Sequence, residues 1–289
     1  MKLNVFAHCA IDTITIDGNN YEQIGGAACY SGITARQFKF DVDLFTKFGP
    51  DFPKQYLDEH KINLINSESQ KNTTKFAISI TGSDRTLKLE NECDPIDYSQ
   101  SDADAHLVSP IYHEISGDIF KKIKSDSNFL FVDPQGFLRR KDSQNNIFLE
   151  KTDLDLSNVN AIKVNPEESQ QIVSGTNDEM MLALQKKGVE YVLLTDKSNV
   201  SLLVKDKIYS ITLPNLHIHD TTGVGDIFCS AFTCTMLKEK DFLWALCFAG
   251  GAAQAALESN NVGLQKIPKK GTVQTNASYF YNLVKFRDL

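Results

Sequence analysis

The sequence predicts an α/β fold built on a mostly parallel sheet, and three observations carry the prediction. Short apolar runs of strand composition alternate with helical stretches along most of the chain, which is the rhythm of βαβ units. One alternating hairpin pattern, at residues 75–90, breaks that rhythm, and a hairpin has no place in a βαβ crossover. The composition is that of a globular protein: 42% of the 289 residues are hydrophobic and 23% charged, which suits one large domain or a domain with a small subdomain.

The elements follow in order. Residues 3–6 and 11–16 have strand composition, and Asp17-Gly18-Asn19-Asn20 supplies a turn into a second short strand at 21–24. Gly25-Gly26 then opens a helix over 27–38, where Ala28, Ser31, Gly32 and Ala35 form a small-residue face for close packing. Strands at 42–45 and 62–65 flank a helical stretch at 53–59. The hairpin at 75–90 turns at Gly82-Ser83-Asp84 and joins residues 11–24 in a small separate sheet, of which one use is a lid over a site. The α/β rhythm resumes with a strand at 106–110, a helix at 115–124, strands at 129–132 and 161–164, helices at 167–174 and 178–187, and a strand at 191–195. This half reads as doubly wound. After a second hairpin-like stretch at 201–213 come two strong helices, 225–237 and 242–257.

Composition also excludes functions. No run approaches the roughly 18 apolar residues that cross a bilayer, and the first residues lack the apolar core of a signal peptide, so no membrane partner is expected. A net charge of −7 argues against a surface that neutralises nucleic acid. Six cysteines form no C-x-x-C pair and sit in apolar patterns, consistent with reduced thiols and a cytoplasmic chain. His217 and His219 alternate on one strand without a third ligand, which favours a structural or surface role over a metal site. There is no P-loop motif.

The sharpest chemical signal is Asp220-Thr221-Thr222-Gly223-Val224-Gly225-Asp226-Ile227-Phe228. Two glycines one residue apart let backbone N–H groups converge where a helix begins, and the helix dipole there favours an anion. Asp226 in that first turn has two readings. It is a cap in a glycine-containing turn, or it is a general base, because a carboxylate beside a phosphate site repels the ligand unless it performs chemistry.

The nonapeptide resembles the D-T-x-G-A-G-D signature of the ribokinase-like (PfkB-type) sugar kinase family, with Val224 in the Ala position. Gly25-Gly26 resembles that family's substrate-side diglycine, Asn165-Pro166-Glu167-Glu168 its N-x-x-E motif, and Asp133 to Arg139 its D-x-N-x-R segment with Gln135 at the amide position. The four motifs span nearly the whole chain in the family's order. The resemblance implies a three-layer α/β fold over residues 1–289 as one domain, with a β-lid from about 11–24 and 75–92. It implies transfer of the γ-phosphoryl group of ATP, with Mg²⁺, to a hydroxyl of a small molecule. Asp226 would then be the base and the amides of Gly223, Val224 and Gly225 the anion hole. Asn165 and Glu168 would act around the metal and its waters, with Glu167 the alternative to Glu168. Asp12, Gly25, Gly26, Tyr30, Gln135 and Arg139 would bind the acceptor, and Thr195, Lys197, Thr222 and Asn165 the nucleotide.

The departures are equally informative. The family's T-L-G-x-x-G loop is here Thr195-Asp196-Lys197-Ser198-Asn199-Val200, without either glycine. Where ribokinases carry G-G-K-G-A-N, this chain places Tyr30 at the amide position, which disfavours ribose. The segment is more similar to the inositol-kinase branch, so a myo-inositol-like polyol or a nucleoside is the expected acceptor, and Tyr30 suits stacking on a sugar face or a nucleobase. A non-catalytic nucleotide or metabolite sensor on the same fold is the alternative. A homodimer through the lid is a further expectation.

Overall fold

The computed structural model describes the chain apart from residues 17–18, 82–83 and 215–219; the expected turns at 17–20 and 82–84 fall partly, and His217 and His219 wholly, outside the described residues. The strands are β1 (Lys2–Phe6), β2 (Ala10–Ile16), β3 (Asn19–Gly25), β4 (Asp41–Phe45), β5 (Asn63–Ile65), β6 (Thr74–Thr81), β7 (Asp84–Asn91), β8 (Ala105–Val108), β9 (Leu130–Val132), β10 (Arg139–Lys141), β11 (Ile147–Leu149), β12 (Ala161–Val164), β13 (Tyr191–Asp196), β14 (Asn199–Val204), β15 (Lys207–Thr212) and β16 (Lys285–Asp288). The helices are α1 (Gly26–Gln37), α2 (Gln55–Glu59), α3 (Gly117–Asp126), α4 (Gln135–Leu138), α5 (Pro166–Ile172), α6 (Asn177–Lys186), α7 (Val224–Glu239), α8 (Phe242–Leu257) and α9 (Lys270–Tyr281), with a 3₁₀ turn at Gly263–Lys266.

Ten strands form the main sheet in the order β16-β15-β14-β13-β12-β9-β8-β1-β4-β5. From β13 to β5 neighbouring strands are parallel, while β14, β15 and β16 add an antiparallel edge. Strands with apolar residues on both faces must be covered on both. One face packs on α1, α7, α8 and α9 through residues such as Ala28, Ile33, Phe232, Phe248 and Phe280. The other packs on α3 and α6 through Phe120, Ile123, Met181 and Leu184. The result is the three-layer ribokinase-like arrangement. No helix among the described residues is long and apolar enough to cross a membrane.

Helix starts follow from capping chemistry. Asp241 accepts the Leu243 and Trp244 N–H groups at the head of α8, and Thr176 with Glu179 forms a capping box on α6. The start of α1 depends on glycine: Gly26 has φ +79°, and a Cβ there would lie 2.5 Å from the His8 carbonyl oxygen. Only glycine lets α1 begin against the β1–β2 junction.

A second sheet, β3-β2-β6-β7, stands beside the first, with β2 and β6 parallel and the outer pairs antiparallel. Asp12, Ile14, Phe76, Ile78 and Leu89 on its inner face are buried, and Thr13, Thr15, Lys75 and Ala77 alternate on the other face, partly exposed. The sequence reading named no counterpart of α4, β10, β11, α9 or β16. Each is three or four residues long or, like α9, offers only the stripe Val273, Ala277 and Phe280 to the core.

Candidate active site

The main sheet delivers its polar residues at one edge. Ser109 follows β8, Asp133 follows β9, Asn165 follows β12, and Thr195 lies near the end of β13. In an open parallel sheet that edge is where ligands bind. The glycine-bounded starts of α1 and α7 point to the same place. Glu114 secures this region by accepting N–H bonds from His8, Ile111 and Tyr112 at 2.9, 2.7 and 2.7 Å.

Two cavities meet here. The first, about 260 Å³, is lined by Asp12, Gly26, Tyr30, Gln135, Arg139, Glu168, Thr222, Gly223 and Asp226 together with Phe76, Ile78 and Leu87 of the small sheet. The second, about 680 Å³, is lined by Thr195, Lys197, Val224 and an apolar wall of Val200, Leu213, Phe228, Ala253 and Leu257. Lys163, Asn165, Thr221 and Gly225 line both. Of the residues expected to act, only Gly25 lines neither. A Cβ at Gly25 would meet the Tyr30 ring at 3.1 Å, so this glycine serves packing.

The turn that opens α7 has the shape of an anion cradle. Gly223 caps the helix at φ +75°, and a Cβ there would lie 2.3 Å from the Tyr30 ring. The N–H groups of Gly223, Gly225 and Asp226 have no acceptor among the described residues. The Val224 N–H does: it is bonded to the Thr221 carbonyl at 3.3 Å. Val224, expected in the anion hole, thus closes the turn with its amide, and it lines the second cavity. Tyr30 is 1% exposed, its ring carries Gly223, and its hydroxyl accepts from Gln23 Nε2 at 3.2 Å. It buttresses the turn as well as lining the first cavity.

Asp226 is buried, and its Oδ1 accepts a hydrogen bond from Ser109 Oγ at 3.1 Å. Burial first, then the negative charge of Asp133, push its pKa up to about 7, against the opposing pull of Lys163, Ser109 and Arg139. Lys163 sits beside the cradle, 3.0 Å from Asp133 Oδ2 and 3.9 Å from Glu168 Oε2, and a Cβ on Gly225 would lie 3.3 Å from its ammonium. Burial disfavours that charge, but Asp133 and Glu168 outweigh burial and keep Lys163 protonated. Arg139 donates to Gln135 Oε1 at 2.8 Å and to the Ile111 carbonyl at 2.9 Å, so the Gln135 amide oxygen orients Arg139.

Asn165 and Glu168 cap each other: Asn165 Oδ1 accepts the Glu168 N–H at 2.8 Å, and Glu168 Oε2 accepts the Asn165 N–H at 2.9 Å. Glu167 is exposed. No group of three or more His, Cys, Asp or Glu among the described residues has the arrangement of a metal cage. Mg²⁺ does not need one, because it keeps several waters and binds through few carboxylates and the substrate's phosphates. Glu168 Oε1 takes part in none of the capping bonds, so this pair fits an ion held through its water shell.

Sequence reading missed Ser109, Lys163 and the charge role of Asp133. One signal was present for Lys163: it is the single charge in the buried strand Ala161–Val164, two residues before Asn165. The altered loop at 195–200 is a tight turn between β13 and β14 in which Lys197 takes φ +54°. Lysine thus occupies a left-handed position that glycine would fill without strain.

Comparisons with known proteins bear on the fold and the family. No curated protein sequence matches the chain. Among solved structures, a pyrophosphate-dependent kinase of the ribokinase family, complexed with a pyrophosphate analogue and myo-inositol, is similar with TM-score 0.81 and 18% identity over 94% of this chain and 99% of that one. Arabidopsis thaliana ribokinase complexed with ribose and ATP gives TM-score 0.73 and 16% identity over 95% and 98% of the two chains. A Methanocaldococcus jannaschii nucleoside kinase gives 0.74 and 16% over 96% and 98%. At these identities the likeness speaks for the fold. The sequence itself matches the family model described as pfkB family carbohydrate kinase over residues 13–270. The chain belongs to the pfkB family of carbohydrate kinases.

Proposed function

We propose that this chain transfers the γ-phosphoryl group of ATP to a hydroxyl of an uncharged polyol, sugar or nucleoside, a myo-inositol-like ring being favoured over ribose. The observation that carries the reading is the position of Asp226: a buried carboxylate with a pKa of about 7 at the junction of an acceptor-sized cavity and an anion cradle. A group with that pKa is ionised enough at neutral pH to take a proton and basic enough to attract one.

The acceptor occupies the first cavity with one hydroxyl at Asp226. Asp226 removes the hydroxyl proton as the oxygen bonds to phosphorus, the bond from the γ-phosphorus to its bridging oxygen breaks, and ADP leaves. The N–H groups of Gly223, Gly225 and Asp226 and the Lys163 ammonium hold the charge on the transferring group. Asn165 and Glu168 would hold the waters of a bound Mg²⁺, which would supply positive charge against the donor's phosphates. The small sheet acts as a lid whose Phe76, Ile78 and Leu87 exclude water from the acceptor.

Four carboxylates, Asp12, Asp133, Glu168 and Asp226, face two cations in the first cavity. That balance disfavours a phosphorylated acceptor, and it supports a polyol, whose hydroxyls donate to carboxylates. The apolar wall of the second cavity supports a nucleotide donor, because a base needs such a wall and inorganic pyrophosphate does not.

Coupled ADP release with ATP and Mg²⁺ tests the proposal across myo-inositol, ribose, fructose, fructose phosphates and nucleosides, with a parallel series using pyrophosphate and reading phosphate release. Turnover with an uncharged acceptor that falls about 10²–10⁴-fold in Asp226→Asn supports it. ATP binding with no turnover on any acceptor favours the sensor instead, the reading prompted by the glycine-free loop at Lys197.

A further inference from the structure

We infer that Lys266 is a positioning residue of the phosphate site: it neutralises Asp220, which lets a carboxylate clamp the anion-binding turn without repelling the anion. The inference rests on the kinase reading above.

The turn that carries Gly223 needs an anchor. Asp220 supplies it, accepting the Thr222 N–H at Oδ1 over 2.8 Å and the Gly263 N–H at Oδ2 over 3.1 Å. These bonds tie the turn to the 3₁₀ segment after α8, and an ionised acceptor makes them stronger than a neutral one would. The same ionisation is a liability. It puts a negative charge three residues from Gly223, whose amide is turned toward phosphate, in a setting where water screens little.

Lys266 answers that liability. Its Nζ lies 2.8 Å from Asp220 Oδ2 and 3.0 Å from the Asp220 carbonyl oxygen. Its side chain is 0% exposed, so the charge does nothing for solubility. It also lies 5.7 Å from the centroid of the Tyr30 ring, the ring on which Gly223 rests. Cation, carboxylate, turn and aromatic support are thus stacked directly behind the cradle. Burial alone drives Asp220 toward its neutral acid, and Lys266 with the two backbone donors reverses this and holds the carboxyl below its usual range. A buried ion pair is seldom needed for stability. This pair has a use besides stability, because the cancelled charge lets a carboxylate clamp the turn without repelling the anion.

The test is titration calorimetry with magnesium pyrophosphate at pH 7.5 on the intact chain, which needs no knowledge of the acceptor. Lys266→Met leaves Asp220 uncompensated, and its pyrophosphate affinity is expected to fall about tenfold or more, recovering as pH is lowered. Asp220→Asn removes the carboxylate's charge and keeps the Lys266 cation, and its affinity is expected to stay within about threefold of wild type or to tighten, with a steeper salt dependence. Lys266→Arg keeps the charge and is expected to keep affinity. A merely structural pair predicts equal losses in Lys266→Met and Asp220→Asn with no pH recovery, and that result overturns the inference, as does a wild-type chain that binds no pyrophosphate. Should Lys266→Met not fold, the Asp220→Asn/Lys266→Met double variant is measured instead. Affinity within about threefold of wild type supports the inference, and a loss beyond about tenfold overturns it. A chain that binds pyrophosphate as expected yet turns over no acceptor refutes the kinase reading and leaves this one standing.

Discussion

Ser109 donates its hydroxyl hydrogen to Asp226 Oδ1 across 3.1 Å. The two residues are 117 positions apart in the chain, one just after β8 and the other in the first turn of α7. Ser109 is fully buried, so the bond is shielded from competing water and fixes the carboxylate's orientation. It also stabilises the ionised form, against burial and the charge of Asp133.

The pH profile follows from that balance. As a base Asp226 must be ionised, so kcat/KM is expected to fall as pH drops through about 7, the value to which its surroundings push it. Ser109→Ala removes a stabilising donor from the anion without changing side-chain volume much, and is expected to move this acid limb upward by about one unit. A profile of kcat/KM between pH 5.5 and 9 checks it. An unmoved limb means that Ser109 only fills space.

The same pKa makes a stability prediction with a definite sign. Asp226 titrates near 3.8 when unfolded and about 7 when folded, so the native state binds the proton more tightly. Between those values stability decreases as pH rises, by about 4 kcal/mol at most once Asp226 is fully ionised. Asp226→Asn, uncharged at every pH, is expected to match the wild-type melting temperature at pH 4.5 and to exceed it at pH 8. Equal melting temperatures at both would mean that the carboxylate is better solvated than its burial implies.

How much of this could be read from the sequence depends on whether the relevant residues are neighbours in the chain. Gly223, Gly225 and Asp226 fall within one turn, so their chemistry is legible as a string. The strands β12 and β13 and the helix α8 were legible because each is mostly apolar over its length. Ser109, Asp133 and Lys163 stand at the ends of or within three separate strands, and only the order of the sheet brings them to one point. Tyr30 is legible by type but not by direction: its ring lies under Gly223, where a Cβ would meet it at 2.3 Å, and it also lines the first cavity.

Gly223 is where that support becomes testable. Alanine there suffers twice: φ +75° is costly for an L residue, and the new Cβ would meet the Tyr30 ring at 2.3 Å. Gly223→Ala is expected to destabilise the fold by about 2–4 kcal/mol and to reduce kcat by about 10²-fold or more, since the turn must move to relieve the clash. Denaturant unfolding and steady-state kinetics read the two effects. Turnover near wild type would place the anion cradle elsewhere.

Ala253 offers a test of the phosphate donor. It lies on α8 and lines the second cavity with Val200 and Leu213, and it does not line the first. Ala253→Leu adds apolar volume where a nucleobase would rest and leaves the cradle, Lys163 and Asp226 untouched. For a nucleotide-dependent enzyme the KM for ATP is expected to rise about tenfold while the KM for the acceptor holds. A pyrophosphate-dependent enzyme would show no change in either constant, because its donor ends at the cradle and does not reach the apolar wall. An effect on the acceptor's KM alone would contradict the division of the site into an acceptor cavity and a donor cavity, and with it the direction of transfer drawn through Asp226.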